Sequence, residues 1–493
     1  MSRALGRAGL VVLVVPLLLA GRASTAAADD AATKHVFLID VPGASFEELL
    51  GVREIASLAR WGGAALMSLQ KHVEPYPSYP QVDPGGMSAI TDWEMDPATM
   101  GGLGAVGAAV RERVEGVSAD EVLVIIMSRT GSAQMAAEKD DLHPIVMAIG
   151  APEDVFVAGG ESGSLTSDTT RRTGVVTDLD VNPTVGEFLD APGFDEEGSP
   201  IRAVDDPAPF ALHERYLAQR RMYVPIGTAA ALYLTAVGLL GVGFVAFRRL
   251  GPRDVRRAVG WACLSVALLT TGMLAAGHLP EPTYATVVPF IAIVTVLGTM
   301  AFSPLERTSP VLVPAGIGSV VLAFFAVEAV LGWSAMLTPM LGGTHLDGGR
   351  FYGLPNVAIG LLVGASLWVA QRLETWPGVG LLVVVALLAG MPYAGSNLGG
   401  GVTLFATAGM WVAVRERGRL GAWKGIGAVA HFTLAGTGLI LLAHRLAPLP
   451  THITRFEEAA GGLGGVWETF VDRLGVGLDL IRGNPAALVP VVG

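Results

Sequence analysis

Eight apolar runs from Met222 onward limit the possible folds of this chain more than any other feature. They cover residues 222–247, 257–279, 284–303, 309–333, 354–371, 377–393, 399–414 and 425–444. Runs of about 17 to 25 apolar residues have the length of a helix that crosses a bilayer. In hydrocarbon every backbone N–H and C=O must be satisfied within the segment, so such runs fold as helices and pack as a bundle. The composition agrees, with 51% hydrophobic and 16% charged residues in a chain of 493. Its 64 glycines are about twice the usual share of roughly 7%, and small residues let membrane helices approach closely. The runs between 354 and 414 are short and broken by proline and glycine. Few ionisable residues lie inside the runs, which weighs against an ion-coupled transporter.

Charge orients the bundle. "FRRLGPRDVRRA" after the first run holds five arginines, and "RERGRLGAWK" after the seventh holds three arginines and one lysine. The positive-inside rule makes both loops cytoplasmic. Eight spans then place the N-terminal domain and the C-terminal tail (448–493) outside. In that tail Trp467, Phe470, Val471, Leu474, Leu478 and Ile481 share one helical face. This pattern predicts an amphipathic helix on the membrane surface, or one packed on the N-terminal domain. Residues 1–28 read as a signal peptide: Arg3 and Arg7, the apolar "LVVLVVPLLLA", then "AAA". Arg22 interrupts the approach to the cleavage site, so an uncleaved anchor is the alternative. The net charge of -11 excludes a basic nucleic-acid footprint. Cys263 is the only cysteine. It excludes an intrachain disulfide and a thiol-based metal site, and reads as a small core residue.

Residues 29–190 read as a soluble α/β domain, with 191–221 as a linker into the helical domain (222–447). "HVFLID" (35–40) and "EVLVIIMS" (121–128) are short, nearly continuous apolar runs that suit buried parallel strands. "FEELLGVREIASLARWG" (46–62) has helical spacing and ends at a Gly-Gly stop signal. Within 162–189 a polar stretch gives way to an alternating strand and then to a proline-marked helix start.

These segments carry a resemblance. "HVFLIDVPGASFEELL" resembles the first strand and turn of the alkaline phosphatase/sulfatase superfamily. "LHPIVMAIG" and "LTSDTTRRTGVVTDLDVNPTV" resemble its last strands and closing helix. More narrowly, "GGRFYGLPN" (348–356), "GSNLGGGVT" (395–403) and "THITR" (451–455) resemble motifs of a group of bacterial polytopic proteins that carry such a domain outside the membrane. The resemblance implies a truncated alkaline-phosphatase-like α/β domain followed by an all-α domain of about eight helices. It also implies a hydroxyl nucleophile and two divalent ions. Asp40 falls where the superfamily places a metal-binding aspartate, and His143 is the one imidazole nearby. Ser88, in "DPGGMSAI", reads as the hydroxyl on a Gly-Gly turn entering a helix; Thr91 and Ser78 are weaker candidates.

The strand "VLVIIMSRTG" weighs against catalysis. Active members typically end it with an Asp–His pair, and here Ser128, Arg129 and Thr130 stand there. Arginine is always protonated and cannot ligate a hard cation. A divalent metal therefore enters only if the enzyme alternative holds. Arg129, Arg171 and Arg172 read as contacts to an anionic group or as surface salt bridges. A second candidate site comes from the loops between spans: His345, Asp347, Arg350, Tyr352 and Asn356, then Asn397, then His452 and Arg455. The topology gathers them on the outer face beneath the α/β domain, and "NLGGG" offers backbone N–H groups to an anion. The expected partners are membrane lipids, including a phosphate-bearing envelope lipid. The expected function is a catalytically degenerate, phosphatase-like protein that binds or positions an anionic cell-envelope lipid or polymer precursor. An active phosphatase or phosphotransferase, and a lipid or solute transporter, are the alternatives. Interfacial anchoring alone is the plainer account of the polar cluster.

Overall fold

A computed structural model describes residues 33–69, 88–131, 135, 142–156, 163–191, 198–207, 209–247, 253–302, 304, 309, 312–341, 345–346, 351–447, 451 and 453–454. The signal segment, Ser78, Asp347, Arg350, His452, Arg455 and the tail face from Trp467 to Ile481 lie outside these residues. So do the side chains of Ser88 and Cys263.

The two apolar runs form β1 (Lys34–Asp40) and β4 (Glu121–Met127), which pair in parallel. The segment 46–62 is helical but interrupted. Helix α1 (Phe46–Gly51) and helix α2 (Arg53–Trp61) part at Val52, whose backbone is extended. Ser45 and Glu48 close a capping box at the start of α1. Gly62 ends α2, and Gly63 opens β2 (Gly63–Ser68). Ser88 does not enter a helix. It opens β3 (Ser88–Glu94), parallel to β1 on its other side. The β-branched and aromatic residues Ile90, Thr91 and Trp93 favour that strand over a helix start.

Helices α3 (Pro97–Met100) and α4 (Leu103–Glu115) lead into β4. Then come β5 (Leu142–Gly150), β6 (Ser164–Thr166), β7 (Val175–Thr177), helix α5 (Val181–Leu189) and β8 (Arg202–Val204). The eight strands form one sheet in the order β3-β1-β4-β5-β2-β6-β8, with β7 also on β2. β5 runs antiparallel to both neighbours. One face packs Phe37, Ile39, Val124 and Ile126 against α1, α2 and α4. The other packs Val36, Leu38, Leu123 and Ile125 against α5. Both faces are covered, which is why these strands lack polar alternation. The stretch expected as a linker carries β8, paired to β6, and the first turns of α6.

The helical region contains α6 (Phe210–Phe247), α7 (Arg253–Ala275), α8 (Tyr284–Ala301), α9 (Leu312–Val330), α10 (Asn356–Ala370), α11 (Thr375–Gly390), α12 (Leu398–Arg415) and α13 (Arg417–Arg445). Among the described residues, six helices are long and apolar enough to cross a membrane. The chain is thus a multi-pass membrane protein. α10 and α11 are shorter apolar helices, as their broken sequences foretell. "RERGRLGAWK" is mostly helical, because α13 begins at Arg417 and bends at Gly421, whose φ is 65°.

The two regions share a core. Tyr216 of α6, Leu346 and Phe351 are buried with the α1, α2 and α4 face of the sheet. Phe46, just past the end of β1, meets the rings of Phe210 and His213 on α6. The C-terminal ends of the parallel strands therefore point at the helical region.

Candidate functional site

In open α/β sheets ligands bind outside the C-terminal ends of parallel strands. Asp40 occupies that position at the end of β1, and it is buried. Both of its carboxylate oxygens are engaged by Arg129. The backbone N–H donates to Oδ1 at 3.0 Å and Nε to Oδ2 at 2.8 Å. The guanidinium thus sits where a cation bound to Asp40 would sit. His143 is buried on β5, two strands from β1 and beyond the Met127–Ile145 pair. Ser88 lies opposite Lys34, at the other end of β1. Six residues of strand separate it from Asp40, about 20 Å at the usual rise. Thr91 faces His35 Nε2 at 3.0 Å. Among the described residues no three His, Cys, Asp or Glu side chains gather into a set. Asp40 with its bound arginine and a distant imidazole do not fit a divalent ion. A cleft lined by Lys34, Trp61, Glu187 and Phe188 opens at the opposite, N-terminal end of β1.

A second buried acid organises the turn between β6 and β7. Asp180, fully buried, accepts from Ser167 Oγ at 2.7 Å, Thr177 N at 2.8 Å, Ser199 N at 2.9 Å and Thr169 Oγ1. Thr170 Oγ1 donates to Val175 O at 2.6 Å. This explains the run "LTSDTTRRTGVVTDLD": Ser167 and Thr169 fold onto one carboxylate, Thr166 and Thr170 onto backbone carbonyls, and together they fix the turn. Arg171 is held there with φ 54°, and its N–H donates to Ser167 O at 2.9 Å.

The fixed turn presents two arginines to the helical region. Arg172 Nε donates to Phe351 O at 3.1 Å, and Nη2 lies 3.4 Å from His345 Nδ1. Burial pulls its guanidinium down to about 10, against the upward pull of the nearby Glu328 carboxylate, so it stays charged at neutral pH. Glu328 lies near the end of α9 and is 1% exposed. It pairs with His278 Nε2 and accepts from Ala335 N at 3.0 Å. Arg171 points to the neighbouring loop. Its Cζ lies 4.3 Å from the Tyr352 ring centroid and 5.0 Å from that of Tyr393, and Nη1 donates to Pro392 O at 3.4 Å. Its Nε and Nη2 are buried with no hydrogen-bond partner among the described residues. A buried donor left in that condition costs about 1–3 kcal/mol. Neither arginine is the surface salt bridge that the sequence allowed.

Of the polar cluster read from the loops, the fold brings together those members it describes. His345 is buried against Arg172, and Tyr352 stacks on Arg171. Asn397 Nδ2 donates to Asn356 Oδ1 at 3.0 Å and to Leu354 O at 2.9 Å. The "NLGGG" segment is not an open anion nest. Asn397 Oδ1 caps the Gly400 N–H at 2.8 Å, and Gly400 and Gly401 pack against Ile359 and Ile440. Gly353 has φ 91° and lies so close to Gly395 that a Cβ would stand 2.1 Å from its carbonyl oxygen. The two glycine-containing motifs are therefore one loop-to-loop contact.

Backbone strain concentrates here. Among the described residues four non-glycine positions have positive φ: Arg171, Asp190, Trp333 and Ser396. Asp190 ends α5, whereas the other three belong to the loops that meet at the junction. Strain of this kind gathers where surrounding structure holds a residue for a purpose. Asp180, Glu328 and Tyr393 join the site only through the fold. Glu328 alone carried a signal, as the lone acid in its apolar run. What the junction offers chemically is a fixed positive edge walled by aromatic rings. No protein-family model, no curated protein and no solved structure matches the chain.

Proposed function

We propose that this multi-pass protein carries its α/β domain on the outer face of the membrane as a catalytically degenerate, alkaline-phosphatase-like module. It binds or positions an anionic cell-envelope lipid or polymer precursor where the domain meets eight membrane-crossing helices. The observation that carries this reading is the occupation of both Asp40 oxygens by Arg129. An acid held by a guanidinium has its charge already offset, and the guanidinium occupies the side from which a metal would approach. The distance between Ser88 and Asp40 along β1 supports the same view. The positive edge of Arg171 and Arg172 supports the binding role.

Metal analysis of the purified protein, with phosphomonoester and phosphodiester turnover, tests it. Neither stoichiometric metal nor turnover is expected. Stoichiometric zinc or manganese with turnover abolished by Ser88→Ala overturns the reading in favour of a phosphatase or phosphotransferase. A periplasm-dependent reporter fused after Arg455 should be active and one fused after Arg419 silent; the reverse pattern dismantles the orientation. One observation favours a transport reading instead: Glu328 is buried within a helix long enough to span. Intramembrane acids mark ion and substrate paths. Lipid or solute movement in liposomes that is lost in Glu328→Gln would replace binding with transport.

A further inference from the structure

We infer that the Nε–Nη2 edge of Arg171 is the recognition group for a phosphate-ester oxyanion and that Tyr393 is the movable wall through which it enters. The inference rests on the binding role proposed above and names its contact and ligand class. Nε and Nη2 form one side of the guanidinium fork, and their N–H groups lie parallel. That spacing matches two oxygens of a single oxyanion. Both nitrogens are buried without a hydrogen-bond partner among the described residues, while Nη1 is held on Pro392 O. The Tyr352 and Tyr393 rings both present a face to the guanidinium, so it is fixed in orientation and shielded from water. The Asp180 network fixes the backbone beneath it. A rigid support under a donor edge is the arrangement a binding site requires.

Charge selects the ligand. Arg172 is the next residue, remains protonated, and sits in the same desolvated junction. Among the described residues neither arginine has a carboxylate in ion-pair contact; Glu328 hydrogen-bonds His278 and Ala335 N and offsets Arg172 only at longer range, leaving Arg171 unopposed by a paired acid. Two adjacent guanidinium groups favour a phosphomonoester over a carboxylate, which has fewer oxygens and less charge. The entry side follows from exposure. Tyr393 is 56% exposed, whereas the nitrogens it shields are sealed. Its turn leads directly into Ser396, whose φ is 46°. Rotation of Tyr393 therefore opens the edge without moving buried structure. The ligand is either a phospholipid headgroup or a soluble phosphate ester, since both carry the same oxyanion.

The test uses full-length protein in phosphatidylcholine nanodiscs, followed by thermal unfolding. One arm titrates sodium glycerol 3-phosphate, and the other replaces part of the phosphatidylcholine with phosphatidic acid. A rise in the midpoint with phosphatidic acid alone assigns a lipid, and a rise with glycerol 3-phosphate assigns a soluble ester. Arg171→Gln should weaken the response at least about tenfold. Arg171→Lys should recover only part, because lysine lacks the fork. Tyr393→Leu alters an exposed side chain and should weaken binding about two- to fivefold. If Arg171→Gln does not assemble, Tyr393→Leu carries the test, and unchanged affinity there overturns the inference. Undiminished binding by Arg171→Gln overturns the site and leaves the binding role standing. Silence of the unaltered protein toward both probes overturns both. Metal-dependent turnover overturns the role alone.

Discussion

Asp180 in the α/β domain and Gly409 in the helical domain hold their surroundings together by opposite means. Asp180 is a buried charge that collects hydroxyl and backbone donors from residues 167 to 199. Gly409 has nothing to donate or accept beyond its backbone. Its missing side chain lets α12 approach α13 so closely that a Cβ would stand 2.6 Å from Val429 Cα. Hydroxyls follow the same division. In the helices Thr270, Thr271, Thr295, Ser319 and Thr433 each donate to the carbonyl four residues back. Such hydroxyls are satisfied on their own helix, as a membrane-crossing segment requires. In the α/β domain Ser167 reaches a carboxylate 13 residues away. The lesson is that polar side chains carry most of the tertiary specification in the α/β domain, and in the helical region only at a few pairs such as Asn397–Asn356 and Glu328–His278. Close backbone approach carries the rest where lipid is the alternative partner.

Substitutions can break this contrast. Asp180→Ala should cost the α/β domain about 4 kcal/mol, because several buried donors lose their acceptor together. Hydrogen exchange should then rise across residues 164–204 while α12 and α13 keep their protection. Loss of protection in both regions would mean that the domains fold as one unit. Gly409→Val should cost about 3 kcal/mol by overpacking and should loosen α12 from α13, measured by crosslinking between cysteines placed on the two helices. An unaltered crosslinking yield would mean that small residues do not set this contact.

Where the two regions meet, both modes operate, and the effects are smaller. Glu328→Gln keeps hydrogen-bonding capacity toward Ala335 N and His278 but removes the charge that offsets Arg172. Docking should weaken by about 2 kcal/mol, seen as faster proteolysis between residues 191 and 210. Equal proteolysis rates would show that apolar contacts around Tyr216 and Phe351 suffice. The smallest effect belongs to His35. Burial, and then the charge of Arg113, holds its imidazole below the ordinary histidine value. The fold therefore binds fewer protons there than the unfolded chain. Stability is present above the unfolded value of about 6.5 and lost as pH falls through the folded one. His35→Gln should flatten the acid side of the stability curve of the α/β domain without moving the helical domain. A slope that persists would assign it to other groups.

Much of the architecture is legible in residues read singly or in short windows. β1, β4 and β5 stand out because both faces of each are apolar. The helices stand out because their length is set by the bilayer. β2 and β3 do not stand out. "GAALMS" is small and lacks β-branched residues, and "SAITDWE" begins beside glycines that read equally well as a helix start. The candidate site was half legible. Arg129, Arg171, Arg172, His345, Tyr352 and Asn397 are visible as polar residues in suggestive places. What each touches is not visible, and Asp180 looked like one acid among several.

The sequence by itself determined the partition of this protein into a layered α/β region and a bundle of apolar helices. Hydrophobic period and run length are local quantities, fixed within a few turns of chain. Only the tertiary structure decided that Arg129 closes on Asp40, 89 residues away, and that Arg172 reaches Phe351, 179 residues away. Those contacts depend on strand register, on the direction of the sheet and on which loops share one end of the bundle. These are properties of the assembled chain that no short window of residues contains.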